Sequence, residues 1–312
     1  MLNPGNKLET ISRALNLRTL LILAPLLLLL PAACSSDSQD TIISSEQEAG
    51  GPAYSGTIIT TDMAVGVNRM LFGVTNRAGM PIIGDSADVG VYFLVPREDA
   101  RELTKEVTAN FISWPTVIGG VFGAEVDIPF GGVYELDIRY TSSDGVEVFA
   151  QTSFLVKDES ETPSVGSPAP ASVTHTLADS QDISHITSSP DPDPDLYQLS
   201  IDEALTQDKP LVIVFATPAF CVSATCGPQV GELTKVKAIV GDRANFIHVE
   251  VFEDPHLIEN HRPTGELVPA VKEWGLPTEP WVFVVDEDGL ISAKFEQFTT
   301  ASEIEAKLLE IL

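Results

Sequence analysis

Cysteine is scarce in this chain of 312 residues, which holds three, so at most one internal pair can form. Basic residues are scarce too: 18 Lys and Arg stand against 45 Asp and Glu, a formal net charge of −27. A chain this acidic does not hold the phosphates of nucleic acid, and no nucleic-acid partner is expected. Its one sustained apolar run, Leu20 to Leu30, is short for a membrane-spanning helix. Histidine is missing between Tyr54 and Asp158, where the acids are scattered and form no catalytic constellation. Every charge is missing between Leu211 and Gly231. What remains is 44% hydrophobic, ample for buried cores, and long enough for about two domains.

The first residues read as an export signal. Lys7, Arg13 and Arg18 precede the apolar run, and Pro31-Ala32-Ala33-Cys34 follow it as a small-residue cleavage site. Residues 1–33 are therefore expected to be a signal peptide. Its removal, which also takes Glu9, subtracts a net of +2 and leaves −29. A cysteine directly after small residues resembles the bacterial lipobox, with Pro31 where that family prefers leucine and Leu30 one place early. The resemblance implies that Cys34 is lipidated and becomes the new N-terminus, anchoring the protein to a membrane on the extracytoplasmic side of the cell envelope. Ordinary cleavage with free secretion and an uncleaved anchor are the alternatives. Export also means an oxidising compartment, which makes Cys221 and Cys226 natural partners. Residues 34–53, rich in Ser, Asp, Gln and Glu, are expected to be a flexible tether.

From 54 to 158 the chain breaks into short runs, among them Val89 to Val95 and Val133 to Ile138, several alternating apolar with polar. Asn76-Arg77-Ala78-Gly79 and Ser142-Ser143-Asp144-Gly145 are turn signals between them. The pattern predicts an all-β sandwich, similar to immunoglobulin-like modules in architecture only, since Trp114 is its one tryptophan and no cysteine pair staples it. A spacer or docking role is expected. Residues 159–195, ending in alternating Pro and Asp, read as a disordered linker in which His175 and His185 are solvated.

The stretch that looks like chemistry is Leu211 to Gly231. Leu211 to Phe215 reads as a strand covered on both faces, and Pro228 belongs in the first turn of a following helix. Cys226 then sits at the start of that helix, where unsatisfied N–H groups favour a thiolate. Cys221 lies in the turn before it. A bent connection would let the pair bond, whereas a continuous helix through both would set them about 140° apart. Strand, cysteine turn, Cys226-Gly227-Pro228, helix, and later Pro277-Thr278-Glu279-Pro280 before a second apolar strand resemble the thioredoxin superfamily, over residues 196–312. Gln229 stands where that family keeps its second cysteine, and Val212 and Val214 stand where it keeps a buried acid.

The expected fold class is thus multidomain, an N-terminal all-β sandwich plus a C-terminal α/β thioredoxin-like fold. The resemblance implies a thiol–disulfide oxidoreductase with Cys226 as attacking thiolate, Cys221 as resolving thiol and Pro280 as a cis proline on the substrate side. The expected partners are protein thiols or disulfides, with no cofactor, no metal and a monomeric chain. Three alternatives use the same residues. A binding module would keep the disulfide for structure alone. A thiol peroxidase would need a hydroxyl where Pro218 stands. A copper-delivery protein would recruit His248, His256 or His261 beside the cysteines.

Overall fold

The computed structural model describes residues 51–115, 119–180, 182–221, 223–258 and 265–312. The expectations for the signal peptide, for lipidation at Cys34 and for nearly all of the tether lie outside these residues, as does His261. Among the described residues no helix is long and apolar enough to cross a membrane.

Seven strands come first: β1 (Tyr54–Ile58), β2 (Gly66–Asn76), β3 (Ser86–Leu94), β4 (Arg101–Ser113), β5 (Gly120–Ile128), β6 (Gly132–Thr141) and β7 (Glu147–Val156). They form one antiparallel sheet in the order β1-β2-β5-β4-β3-β6-β7. The two end strands lie side by side, so the sheet nearly closes into a barrel. This corrects the expected sandwich. A sandwich needs a break in the hydrogen-bond ladder between two sheets, and here the ladder runs unbroken from β1 to β7. Alternation sends Met70, Phe72, Val89, Val91, Phe122 and Tyr134 into one interior. The buried Tyr134 and Tyr140 hydroxyls donate to the Phe130 and Ile82 carbonyls, at 2.9 and 2.7 Å.

The expected thioredoxin-like fold is corrected as well. The chain is mostly β, and no distinct α/β thioredoxin fold is evident. The C-terminal residues build a second sheet, β11-β10-β8-β9, from β8 (Leu211–Phe215), β9 (Asn245–Val249), β10 (Trp281–Val285) and β11 (Ile291–Glu296). Only β8 and β9 are parallel. Of its helices, α1 (Ile201–Ala204) and α3 (Pro269–Glu273) are single turns, and only α2 (Cys226–Val240) and α4 (Ala301–Leu309) are longer. α2 and α4 cover one sheet face through Leu233, Val236, Ile304 and Leu308. Trp274, Ile201 and Ala204 cover the other.

This layer does not stand apart, because residues 49–312 are one compact unit. Asp62, between β1 and β2, is one join. Its carboxylate accepts from Ser160 Oγ, from the Glu161 N–H at 2.9 Å, from the Thr162 N–H at 3.1 Å and from Thr162 Oγ at 2.7 Å. Lys157 and Lys294 pair with it at 3.3 and 3.5 Å. Arg69 of β2 is another join, bonding Glu303 of α4 and the carbonyls of Glu296 and Phe298 at 3.0 to 3.1 Å.

Residues 159–195, expected to be a disordered linker, are packed instead. Gly166 N–H donates to Ile291 O at 2.8 Å, and Ile291 N–H returns to Ser167 O at 2.9 Å. Leu177, Ile183 and Ile186 supply the apolar contacts that polar composition obscured, joining the core beneath α2. The Pro–Asp run is held as well: Asp193 and Asp195 both pair with Lys237 of α2, at 2.8 and 2.6 Å.

Candidate functional site

β8 is buried at every position, and its chain leaves the sheet at Ala216 to enter the cysteine turn. Ala224 adopts a left-handed φ of 57°, which folds the turn back on itself. α2 begins only at Cys226, so the continuous helix that would have separated the cysteines does not form. Cys221 and Cys226 are joined by a disulfide, with 5.9 Å between their Cα atoms. Of the two geometries open to the sequence, the bent one is adopted.

The two sulfurs are not equivalent. Cys226 is fully buried, whereas Cys221 is only partly buried. Cys226 occupies the first position of a 15-residue helix whose N-cap, Thr225, makes no side-chain capping bond. The first-turn N–H groups and the helix dipole therefore act on Cys226. Cys221 Sγ instead lies 3.1 Å from Ser223 Oγ, which contacts Thr225 Oγ at 2.7 Å. Gln229 is fully buried and structural. It exchanges hydrogen bonds with the Thr299 backbone at 2.7 and 3.2 Å, pinning α2 to the segment before α4.

Pro280 is buried at the start of β10, and its peptide bond with Glu279 is cis. The residue that reaches the sulfurs from this loop is Glu279, which the sequence reading passed over. Its carboxylate and the two sulfurs all lie within 4.8 Å of one another. One oxygen accepts from the Thr217 N–H at 2.7 Å. Burial pushes the Glu279 carboxyl up to about 7; the Thr217 N–H opposes the rise and the Glu250 charge adds to it. Glu250 is itself buried and raised by that burial, against hydrogen bonds from Thr217, Ser188 and Val251.

A raised carboxyl has a consequence for stability. The folded state prefers the proton, so stability is full below about 4.5 and falls as pH rises from there through about 7. A shift of this size corresponds to about 3 kcal/mol. In the oxidised protein, Glu279→Gln is expected to exceed the parent in stability by about that amount above pH ~8, with the gap closing in acid. Chemical denaturation across this range checks it. Equal stability above pH ~8 would mean that the carboxylate is well solvated.

No family model matches the chain, and no curated protein is similar to it. Several solved structures are weakly similar, among them these two. MtrC from Shewanella baltica OS185 is 14% identical over 47% of this chain and 28% of its own, with a TM-score of 0.26. A superoxide reductase (neelaredoxin) from Ignicoccus hospitalis is 12% identical over 39% of this chain and 98% of its own, with a TM-score of 0.22. This chain thus spans less than a third of the MtrC chain. Neither likeness reaches the level at which a fold is shared.

Of the remaining sequence candidates among the described residues, His248 and His256 are not brought to the cysteines. His248 is fully enclosed: its Nδ1 lies 2.7 Å from the Tyr197 hydroxyl and its Nε2 lies 3.0 Å from the Ala216 carbonyl. Since a carbonyl only accepts, Nε2 carries the proton and Nδ1 accepts from Tyr197. Burial pushes this imidazole down to about 4, against the Ala216 bond. Both nitrogens are spent, so His248 is no metal ligand. His256 is exposed and stacks on His185 at 3.8 Å. A separate cleft of about 860 Å³ lies between the barrel and β11 and α4. Its cations Arg69, Lys294 and Lys307 are each paired with an acid.

Proposed function

We propose that the Cys221–Cys226 pair carries out thiol–disulfide exchange with protein thiols, in the oxidising compartment for which residues 1–34 argue. The observation that carries this reading is the asymmetry of the bond: Cys221 is only partly buried, and Cys226 is fully buried at a helix start that favours it as a departing thiolate.

A substrate thiolate attacks Cys221 Sγ, the Cys221–Cys226 bond breaks, and Cys226 leaves as thiolate. A second substrate thiol, losing its proton to Cys226, then attacks the substrate sulfur of the mixed disulfide and expels Cys221 as thiolate, which takes a proton from water. The substrate dithiol is oxidised to a disulfide, and the protein pair gains two electrons and two protons. The burial of Cys226 therefore reverses the roles expected from sequence, making Cys221 the sulfur that meets substrate.

Equilibration of the pair with glutathione tests the reading. A catalyst is expected to have a potential between about −120 and −270 mV, the span of known exchange proteins. A value below about −300 mV is that of a structural disulfide and would remove the proposal.

A further inference from the structure

Reduction of the disulfide changes the charge of the site. Two thiols and the Glu279 carboxyl then converge, with their ligand atoms within 4.8 Å of one another. No charged residue is contributed by Leu211 to Gly231, and the neighbouring residue that acts on Glu279 is another acid, Glu250. Once deprotonated, the group is a cluster of negative donors with no cation in its own segment. We propose that the reduced pair, together with Glu279, binds Zn(II).

The distances suit that ion. Tetrahedral zinc holds sulfur at about 2.3 Å and carboxylate oxygen at about 2.0 to 2.2 Å, which sets ligand atoms roughly 3.5 to 3.8 Å apart. Two sulfurs released from their bond and in ordinary contact lie at about that spacing. The Thr217 N–H holds one Glu279 oxygen at 2.7 Å and so aims the other, the kind of outer hydrogen bond that orients metal ligands. Donor type narrows the ion further. Two thiolates exclude Mg(II) and Ca(II), which take oxygen ligands, and the carboxylate disfavours Cu(I), which prefers soft donors throughout. Three protein ligands leave a fourth position, and the less buried Cys221 puts that position on the solvent side. Binding displaces a proton from each thiol, and a third from the Glu279 carboxyl where it is protonated. The disulfide has no thiolates to offer, and oxidation expels the metal.

The inference requires that the pair be reducible, not that exchange be its function. The full chain is reduced with a water-soluble phosphine, which becomes the phosphine oxide as water supplies oxygen and protons and the pair takes up two electrons. Its thiols are counted, and it is titrated with Zn(II) against a chromophoric zinc indicator. Cd(II) reports sulfur ligation through its ultraviolet charge-transfer band. One zinc per reduced chain and none per oxidised chain is expected, and Glu279→Gln is expected to weaken binding by at least about tenfold. Absence of zinc binding after the Cys221 and Cys226 thiols are both found free would overturn the proposal. So would equal binding by Glu279→Gln, which would mark a bare dithiol chelate. A pair too reducing to exchange with glutathione that still takes zinc once reduced would remove the exchange reading and support this one.

Discussion

A Cys226→Ser protein is expected to accumulate a mixed disulfide through Cys221, while Cys221→Ser is expected to accumulate none. Cys221 is the less buried cysteine, and in the Cys226→Ser protein it attacks a substrate disulfide that no internal thiol then releases. In Cys221→Ser the remaining thiol sits fully buried beneath the turn, favoured as an anion by the helix but out of reach of a protein substrate. Turnover should fall to background in both variants, so the adduct is what distinguishes them. Trapping each variant in an exported setting, followed by non-reducing electrophoresis and mass measurement of the adduct, gives the answer. Adducts only with Cys221→Ser would restore Cys226 as the attacking thiol, and adducts with neither would leave a structural disulfide.

Asp62→Ala is expected to cost about 3–5 kcal/mol, the largest loss of stability from any single change in the join between barrel and second sheet. The Asp62 side chain is fully buried, and its removal strands Lys294, whose side chain is 15% exposed, without its charge partner. The N–H groups of Glu161 and Thr162 lose their acceptor at the same time. The acid dependence of the parent follows from the same contacts. Burial alone would raise the Asp62 carboxyl, but Ser160, the Glu161 N–H, Thr162 and the Lys294 charge outweigh it and hold it well below the usual carboxylate range. A depressed carboxylate stabilises the fold above its unfolded value of about 3.9, and the contribution is lost as pH falls from there toward the folded value. Urea denaturation near neutrality, repeated in acid, measures both. A loss under about 1 kcal/mol near neutrality would show that the join does not depend on Asp62.

Much of the local structure was legible. The runs Val89 to Val95 and Val133 to Ile138 marked strands now seen as β3 and β6. The Ser200–Glu203 capping box is present at α1. Closure of the barrel was not legible, because alternation says which side chains face inward and nothing about whether the last strand returns to the first. Residues 159–195 misled for a related reason. A segment rich in Ser, Pro and Asp reads as solvated, yet Leu177, Ile183 and Ile186 pack on the core, and backbone bonds to Ile291 and ion pairs to Lys237 hold it as well.

At the site the division is similar. The sequence by itself determined a covered strand, a cysteine turn and a helix beginning beside Cys226, since these follow from burial patterning and from where proline tolerates a helix. The turn before Pro280 was likewise marked by its own residues. Only the tertiary structure decided that Cys226 is fully buried while Cys221 is partly so, and that the acid against the sulfurs comes from Glu279 rather than from β8. The reason is physical: exposure and the approach of a carboxyl depend on how β8, β10 and α2 pack against one another. Residues far apart in the chain carry no local pattern that records such packing.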